Sequence, residues 1–293
     1  MKINFLYTLT VAMLAVLSTS AQDLKTIQED YFNQMKATTY GNDPKVGKYV
    51  DIRGFKMYYE TYGSGEPLLL IHGNGGSINN FVKQIPVFAK SYKVIIADSR
   101  AQGKSIDTKD SLSYEMIADD YSELLNKIGV PSANVIGWSD GGIEGLLLAI
   151  RHPEKVKKLM VTGANLEPDT SAVENDVHDW AEGIFAKLRD IKDKDAEQKH
   201  QYKLFSLLVT QPHIPIADLK KIQCPTLVVG GDHDILKPGH TLTIFQNIAN
   251  AYLWILPNSG HSTLVVYSEE FNKKADDFFK TPYRKIAMEG RFF

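Results

Sequence analysis

A serine flanked by glycines stands in the segment Gly137-Trp138-Ser139-Asp140-Gly141, which follows an apolar run and precedes a helical pattern. In a strand-turn-helix context, Gly-x-Ser-x-Gly is typical of a nucleophile elbow, a tight turn that exposes the serine hydroxyl. The glycines are needed where a Cβ would collide with neighbouring backbone. Ser139 is therefore the candidate nucleophile. The alternative, an ordinary turn serine, would be favoured if the short pattern stood alone.

A serine hydroxyl is a weak nucleophile that requires a base, and the base requires an orienting acid. Both partners are expected at the carboxyl ends of later strands, where open α/β sheets place their ligands. Asp234 follows the apolar run 226–229, and His261 follows the run 252–256. The order serine, acid, histidine is that of the α/β-hydrolase triad.

Two loops ahead of the serine also follow apolar runs. The first, His72-Gly73-Asn74-Gly75-Gly76, can turn backbone N–H groups toward a developing oxyanion. The second covers 98–105. With these motifs the chain resembles the α/β-hydrolase family from about Lys48 to Phe279, and the segment 137–142 is most similar to the valacyclovir-hydrolase-like serine esterases.

The resemblance implies a role for each candidate. Ser139 would be the nucleophile, His261 the general base and then acid, and Asp234 the carboxylate that orients His261. The backbone N–H groups of Asn74 and Asp140 would form the oxyanion hole.

The resemblance also bears on two ambiguous positions. Asp232 competes with Asp234, but the family's acid falls three residues after a glycine, here Gly231, which favours Asp234. The segment 98–105 resembles the family's Asp-x-Arg-Gly-x-Gly-x-Ser loop, with Ala101 where glycine is usual. This departure concerns a turn near the site, and we expect catalysis to tolerate it.

Asp140 is the most informative candidate for specificity. Beside the oxyanion, a bare carboxylate would oppose the charge that forms in the transition state, so it must point away, be protonated or pair with a cation. In the valacyclovir-hydrolase-like esterases the matching aspartate binds the amino group of an aminoacyl ester, and the resemblance implies the same here. The alternative is an Asp140 held by a helix N-terminus or by a nearby Lys or Arg. Trp138 and Trp180 are candidates for lining an acyl pocket, with core packing as the alternative.

No metal and no cofactor is predicted. His233 and His240 lie near carboxylates, but the chain has no HExxH motif and no spaced histidine pair on a helix. Gly103-Lys104-Ser105 lacks the first glycine of a phosphate-binding loop, because position 98 is Asp98. The single cysteine, Cys224, excludes an internal disulfide and a multi-cysteine metal site.

Apolar runs elsewhere predict the scaffold. Runs that are apolar at every position suit strands buried on both faces, and their alternation with helical patterns predicts an α/β fold. We expect a mostly parallel twisted sheet with helices on both faces, preceded by two antiparallel strands. The predicted strands are 49–52, 56–62, 68–71, 94–97, 134–137, 159–162, 226–229 and 252–256, and the predicted helices include 114–128, 142–151 and 269–279.

One connection is too long for a plain crossover. Roughly 60 residues separate the strand that ends near Gly163 from the strand that begins at Thr226, whereas ordinary α/β connections are short. The segment 169–209 is rich in charge and carries Trp180 among apolar residues at helical spacing. It predicts a helical cap at about 165–215. The alternative is a surface excursion without a role in the site.

The first 21 residues combine one lysine, an apolar run and a small-residue end, a pattern typical of a secretory signal peptide cleaved after Ala21. The run is too short to cross a bilayer, so no stable membrane anchor is expected after cleavage. An exported chain without disulfides indicates a bacterial periplasmic or secreted protein. We expect a signal peptide at 1–21, an N-terminal extension at 22–46, a hydrolase domain at 47–280 and a tail at 281–293.

Composition limits the class of function. The 293 residues are 43% apolar and 23% charged, which is globular, and a net charge of -2 gives no basic surface for nucleic acid. The sequence therefore predicts a serine hydrolase that acts through an acyl-enzyme on a small-molecule carboxylic ester, with amides and aminoacyl esters as further substrate classes. Carbon-carbon bond hydrolysis, lactone opening or perhydrolysis on the same triad and a non-catalytic binding protein stay open, as does the oligomeric state.

Overall fold

The computed structural model describes residues 19–109 and 111–292, with side chains described from Leu24 onward. The predicted signal peptide lies outside the described residues except for its last positions, which belong to the first helix. No helix in the described part of the chain is long and apolar enough to span a membrane.

An eight-stranded sheet forms the centre of the molecule, in the order β1-β2-β4-β3-β5-β6-β7-β8. β1 pairs with β2 and β2 with β4 in antiparallel fashion, and every later pairing is parallel. The predicted α/β class and all the predicted strands are confirmed. The strands are β1 Lys48–Ile52, β2 Phe55–Tyr62, β3 Glu66–Ile71, β4 Tyr92–Ala97, β5 Ala133–Trp138, β6 Val156–Thr162, β7 Thr226–Gly231 and β8 Ala251–Leu256.

Helices cover both faces of the sheet. They are α1 Thr19–Ala37, α2 Ile85–Phe88, α3 Tyr114–Lys127, α4 Asp140–Arg151, α5 Asn175–Arg189, α6 Ala196–Thr210, α7 Pro238–Asn247, α8 Thr263–Val266 and α9 Ser268–Lys280. Short 3-10 helices lie at Ile78–Phe81, Pro153–Lys155, Ile216–Lys221 and Glu289–Phe292.

Side chains of β3 show why the central strands are apolar at every position. Leu69 and Ile71 point into the core beneath α3, α4 and α7, whereas Leu68 and Leu70 point into the core beneath α1, α2, α8 and α9. Because successive side chains of a strand face opposite sides, a sheet covered on both faces needs apolar residues throughout.

The connection between β6 and β7 holds α5 and α6, which pack against each other through the stacked rings of Phe185 and Tyr202. One face of α6 is tied to the loop after β4: His200 Nε2 lies 2.6 Å from the Ala101 carbonyl oxygen, and Lys203 reaches the carbonyls of Asp107 and Lys109. The predicted helices of this segment are therefore present. The division of the chain into extension, hydrolase domain, cap and tail stays a prediction.

Candidate active site

The turn between β5 and α4 packs so closely against neighbouring backbone that two of its positions have no room for a side chain. A Cβ at Gly137 would lie 2.0 Å from the carbonyl oxygen of Gly141, and a Cβ at Gly141 would lie 2.1 Å from that of Ile71. Ser139, between them, has φ 59° and ψ -122°, a conformation that costs a non-glycine residue of the order of 1 kcal/mol or more. The sequence therefore needs both glycines, and the turn presents the hydroxyl of Ser139 above the sheet.

The loops after β7 and β8 bring an acid and a histidine to this serine. Ser139 Oγ lies 2.9 Å from His261 Nε2, and His261 Nδ1 lies 2.6 Å from Asp234 Oδ1. An ionised carboxylate only accepts, so Nδ1 carries the proton and Nε2 is left to accept from the serine hydroxyl. The structure thus assembles the three residues that the sequence places in the order Ser139, Asp234, His261.

Charge distribution supports this protonation state. Burial opposes ionisation of Asp234, but attraction to His261, its hydrogen bond and two backbone N–H groups outweigh burial and lower the pKa of the carboxyl. Burial likewise disfavours a charged His261, and the neighbouring Asp234 more than compensates, so the pKa of His261 is raised.

Asp232, the competing acid, has a different position. Its carboxylate pairs with His233 and accepts the backbone N–H groups of Asn258 and Ser259 at 2.9 and 3.0 Å. These contacts lower the pKa of Asp232 and fix the loop that carries His261. The structure brings Asp234, and not Asp232, to the histidine.

The glycine-rich loop after β3 lies against the elbow. A Cβ at Gly73 would approach Ser139 Cβ to 2.9 Å. His72 fixes the loop from inside: its Nε2 accepts the Ser99 N–H at 2.9 Å, so Nδ1 donates to the Gly73 carbonyl at 2.8 Å. Burial lowers the pKa of His72, which keeps the ring neutral, as expected for a structural residue.

The expected oxyanion donors lie on either side of the serine. Asp140 is the first residue of α4, where a backbone N–H has no intrahelical acceptor. Asn74 lies on the facing loop, and its side chain joins the two elements: Nδ2 donates to Asp140 Oδ2 at 2.8 Å. The same Nδ2 lies 3.3 Å from the carbonyl oxygen of Leu204 on α6. Sequence reasoning pointed only to the backbone of Asn74 and did not find this bridge.

Asp140 is 2% exposed, and burial raises the pKa of its carboxyl to about 6 despite the hydrogen bond from Asn74. The hydroxyl of Tyr114 on α3 faces this carboxyl without a regular hydrogen bond. Among the described residues no Lys or Arg pairs with Asp140, so the alternative in which a basic side chain holds this carboxyl is wrong. The uncharged amide of Asn74 holds it instead.

The predicted tryptophans differ in their contacts. Trp138 Nε1 donates to the His261 carbonyl at 3.1 Å, and the two rings lie 6.3 Å apart, so Trp138 supports the loop that carries His261. Trp180 packs edge to face on Phe205 between α5 and α6. Within the described part of the chain, no hydrogen bond or ring contact joins Trp180 to the serine, histidine or acid.

A residue that sequence reasoning missed is Glu144, one turn after Asp140 on α4. Its side chain is fully buried, and neither carboxyl oxygen has a hydrogen-bond partner among the described residues. Burial raises the pKa of Glu144 well above its usual range, so the group is a neutral acid. The available signal was a lone glutamate within the otherwise apolar stretch 141–150 of α4.

Other candidates carry no chemistry in the structure. No group of three or more His, Cys, Asp or Glu side chains in the described residues is arranged to hold a metal ion. Cys224 is half-buried, and burial raises the pKa of its thiol to about 11, which makes it a poor nucleophile. Ala101 adopts φ 61°, the conformation for which glycine is usual in this loop.

Comparison with known proteins supports the fold and the family. A family model described as alpha/beta hydrolase fold matches residues 66–209. Serine hydrolase BPHL from Homo sapiens is 28% identical over 261 residues, covering 83% of this chain and 89% of that protein. The chain is an α/β hydrolase.

Two further proteins show the range of this family. The hydrolase is 28% identical over 268 residues to 2-hydroxymuconate semialdehyde hydrolase from Pseudomonas sp. (strain CF600), covering 81% of this chain and 95% of that one. The structure of MGS-M2, an alpha/beta hydrolase enzyme from a Medee basin deep-sea metagenome library, aligns with a TM-score of 0.71 at 19% identity, covering 81% and 99% of the two chains. Such a structural likeness supports the fold alone.

The hydrolase should not tolerate a methyl group at the elbow. We expect Gly141→Ala to lower kcat/KM by more than about 100-fold, because moving the turn displaces the serine from its base, and to cost about 3 kcal/mol of unfolding free energy. Gly183→Ala is the matched control: a Cβ there meets nothing within 4 Å, and an alanine in α5 should stabilise by about 0.5 to 1 kcal/mol. Steady-state kinetics and denaturant unfolding measure both. A Gly141→Ala enzyme with ordinary kcat/KM would contradict the crowding argument.

Proposed function

We propose that this α/β hydrolase cleaves carboxylic esters through an acyl-enzyme on Ser139. The observation that carries the proposal is the continuous hydrogen-bond chain from Ser139 through His261 to the buried carboxylate of Asp234, at 2.9 and 2.6 Å. This arrangement removes a proton from the serine as the bond to carbon forms, which an isolated hydroxyl cannot do at neutral pH.

The reaction has two halves. Ser139 Oγ attacks the ester carbon while its proton moves to His261 Nε2, and the carbonyl oxygen takes up negative charge between the N–H groups of Asn74 and Asp140. Collapse breaks the ester bond, and the leaving alkoxide takes the proton from His261. A water then gives its proton to His261 and attacks the acyl carbon, which releases the acid and returns the proton to Ser139. Asp234 stays ionised throughout.

His261 accepts a proton only when it is neutral. Because its pKa is raised, the fraction of competent enzyme grows as the pH rises through that pKa, and activity should fall on acidification. Asp234, with its lowered pKa, remains ionised across the same range.

Carbon-carbon bond hydrolysis is the second candidate. It is favoured by the similarity to 2-hydroxymuconate semialdehyde hydrolase, and fold alone does not separate the two reactions. The carboxyl of Asp140 beside the nucleophile favours an ester with a cationic acyl group. Lactone opening and perhydrolysis, the other reactions weighed on this triad, have no such residue in their favour.

Labelling with a fluorophosphonate separates the enzyme from a binding protein built on the same fold. We expect one phosphonyl group per chain on the peptide that contains Ser139, and no label on Ser139→Ala. Asp234→Asn should fold and label much more slowly, because the histidine loses its orienting acceptor. Folded protein that takes up no label, or takes it up elsewhere, would rule out Ser139 as the nucleophile.

We further propose that Asp140 binds the ammonium group of aminoacyl esters. Asn74 occupies one carboxyl oxygen, and within the described part of the chain the carboxyl has no cationic partner. A substrate ammonium would supply the missing charge and stabilise the anion next to the reacting serine.

Charge recognition should appear as a pH-dependent preference. We expect Asp140→Asn to lower kcat/KM by about 10- to 100-fold for an aminoacyl ester and far less for its uncharged deamino analogue, as for a lost charged hydrogen bond. In the wild type the ratio of the two kcat/KM values should rise between about pH 5 and 7, because the pKa of Asp140, about 6, means that its anion is lost as the pH falls. Taking the ratio removes the contribution of His261, which both substrates share.

Glu144→Gln is the matched control for this test. It makes the same carboxyl-to-amide change one turn along α4, on a group that is already neutral, so both substrates should react as with the wild type. Equal losses on both substrates in Asp140→Asn would remove the recognition role and leave the esterase proposal intact.

A further inference from the structure

An apolar groove lies beside the edge strand β8, far from the serine. It encloses about 640 Å³ between β8, the end of α9 and residues 281–286, and its lining includes Tyr252, Trp254, Phe278, Pro282 and Ile286. We call it the β8 groove. Within it the ring of Tyr252 lies 6.2 Å from that of Phe278, and it lies 5.1 Å from the ring of the neighbouring Tyr283.

The sheet edge beside the groove, formed by β8, lacks the residues that usually prevent pairing with another strand. Edge strands usually carry charges or proline, which discourage pairing with another chain. The opposite edge strand, β1, carries Lys48 and Asp51, whereas β8, with the sequence Ala-Tyr-Leu-Trp-Ile-Leu over 251–256, has neither charge nor proline. In the described part of the chain, no strand pairs with the outer side of β8.

The C-terminal tail, which starts at the groove, exposes apolar side chains of its own. Ile286 is 51% exposed, Met288 72% and Phe292 77%. Scattered exposed apolar residues are common, but here a series of them follows directly after an unfilled apolar groove. Burying the β8 groove and the apolar side chains of the tail would remove apolar surface of both from water.

Charged side chains border both surfaces. The lining of the β8 groove carries Lys274, Arg284 and Asp277. Asp277 is paired with Lys273 at 2.6 Å, whereas neither Lys274 nor Arg284 forms an ion pair with another described residue; Lys274 lies over the ring of Trp254 at 5.7 Å. The tail carries Glu289 and Arg291 between Met288 and Phe292, and neither has an ion-pair partner among the described residues. Glu289 can therefore face the two cations of the groove that have no ion-pair partner.

We propose that the chain forms a two-fold symmetric homodimer in which the tail residues 287–292 of each protomer lie in the β8 groove of its partner. The groove and the tail are adjacent in one chain, so a two-fold axis beside β8 satisfies both surfaces of both protomers at once. Glu289 of one protomer then pairs with Lys274 and Arg284 of the other. The apolar side chains of the tail fill the groove and cover the exposed edge of β8.

The interface leaves the reaction site open. Lys158, near the start of β6, donates to the carbonyl oxygens of Phe278, Phe279 and Thr281, which places the end of α9 at the amino ends of the strands. Ser139 and His261 follow the carboxyl ends of β5 and β8. A monomeric variant should therefore keep the kcat per chain of the wild type.

Sedimentation velocity and light scattering across a wide range of protein concentration test the proposal. We expect the wild type to have twice the mass of one chain. Glu289→Lys and Lys274→Glu should each raise the dimer Kd at least about tenfold by setting like charges opposite each other, and the double variant should regain the dimer. Deleting residues 287–293 should give a monomer. Asp193→Lys, an exposed charge reversal between α5 and α6, is the control and should remain dimeric.

Three results would overturn the proposal: a wild type that is monomeric at every concentration, single variants that stay dimeric, or a double variant that stays monomeric. A cooperative thermal unfolding transition and unchanged kcat per chain confirm that each variant is folded, since loss of the dimer alone is expected to lower the Tm. The charge-reversal test at Glu289 and Lys274 does not depend on Ser139. The dimer proposal and the hydrolase proposal can therefore fail independently of each other.

Discussion

The contact of backbone with backbone at the end of β5 is the constraint on which the rest of the site depends. Gly137 and Gly141 have no room for a Cβ because the carbonyls of Gly141 and Ile71 stand where it would be. With the chain so confined, Ser139 must take a positive φ, and α4 must begin at the next residue. One turn of backbone therefore sets the serine hydroxyl, the first N–H of a helix and the carboxyl of Asp140 side by side.

Around this turn, burial and hydrogen-bond partners give the acidic side chains different protonation states. Asp234 is ionised because His261 and backbone N–H groups compensate for its burial, and it holds the histidine in the tautomer that can accept a proton. Glu144 has no such partners and is neutral. Asp140 lies between these cases, with one amide donor and a pKa of about 6. Its charge therefore depends on what enters the site, which is the physical basis of the cation recognition that we propose for it.

Much of this was predictable, because the features concerned are local. Continuous apolar runs gave the strands, glycine spacing gave the elbow, and strand ends gave the positions of Asp234 and His261. What escaped prediction depends on side chains that meet across long stretches of chain. The amide of Asn74 contacts a carbonyl 130 residues away, and the Trp138 N–H binds the loop of His261. The periodicity of the sequence does not indicate such contacts, and for the same reason it did not show that Asn74, and not a Lys or Arg, contacts Asp140.

The central claim is that a strained serine, with its histidine and acid, forms a covalent acyl intermediate. Rapid-mixing kinetics with an activated ester, followed by mass spectrometry of the quenched enzyme, tests it most directly. We expect a burst of one alcohol molecule per chain and an added acyl mass on the peptide that contains Ser139, which disappears as water hydrolyses the acyl-enzyme. Turnover of the ester with no burst and no acyl group on that peptide would contradict it.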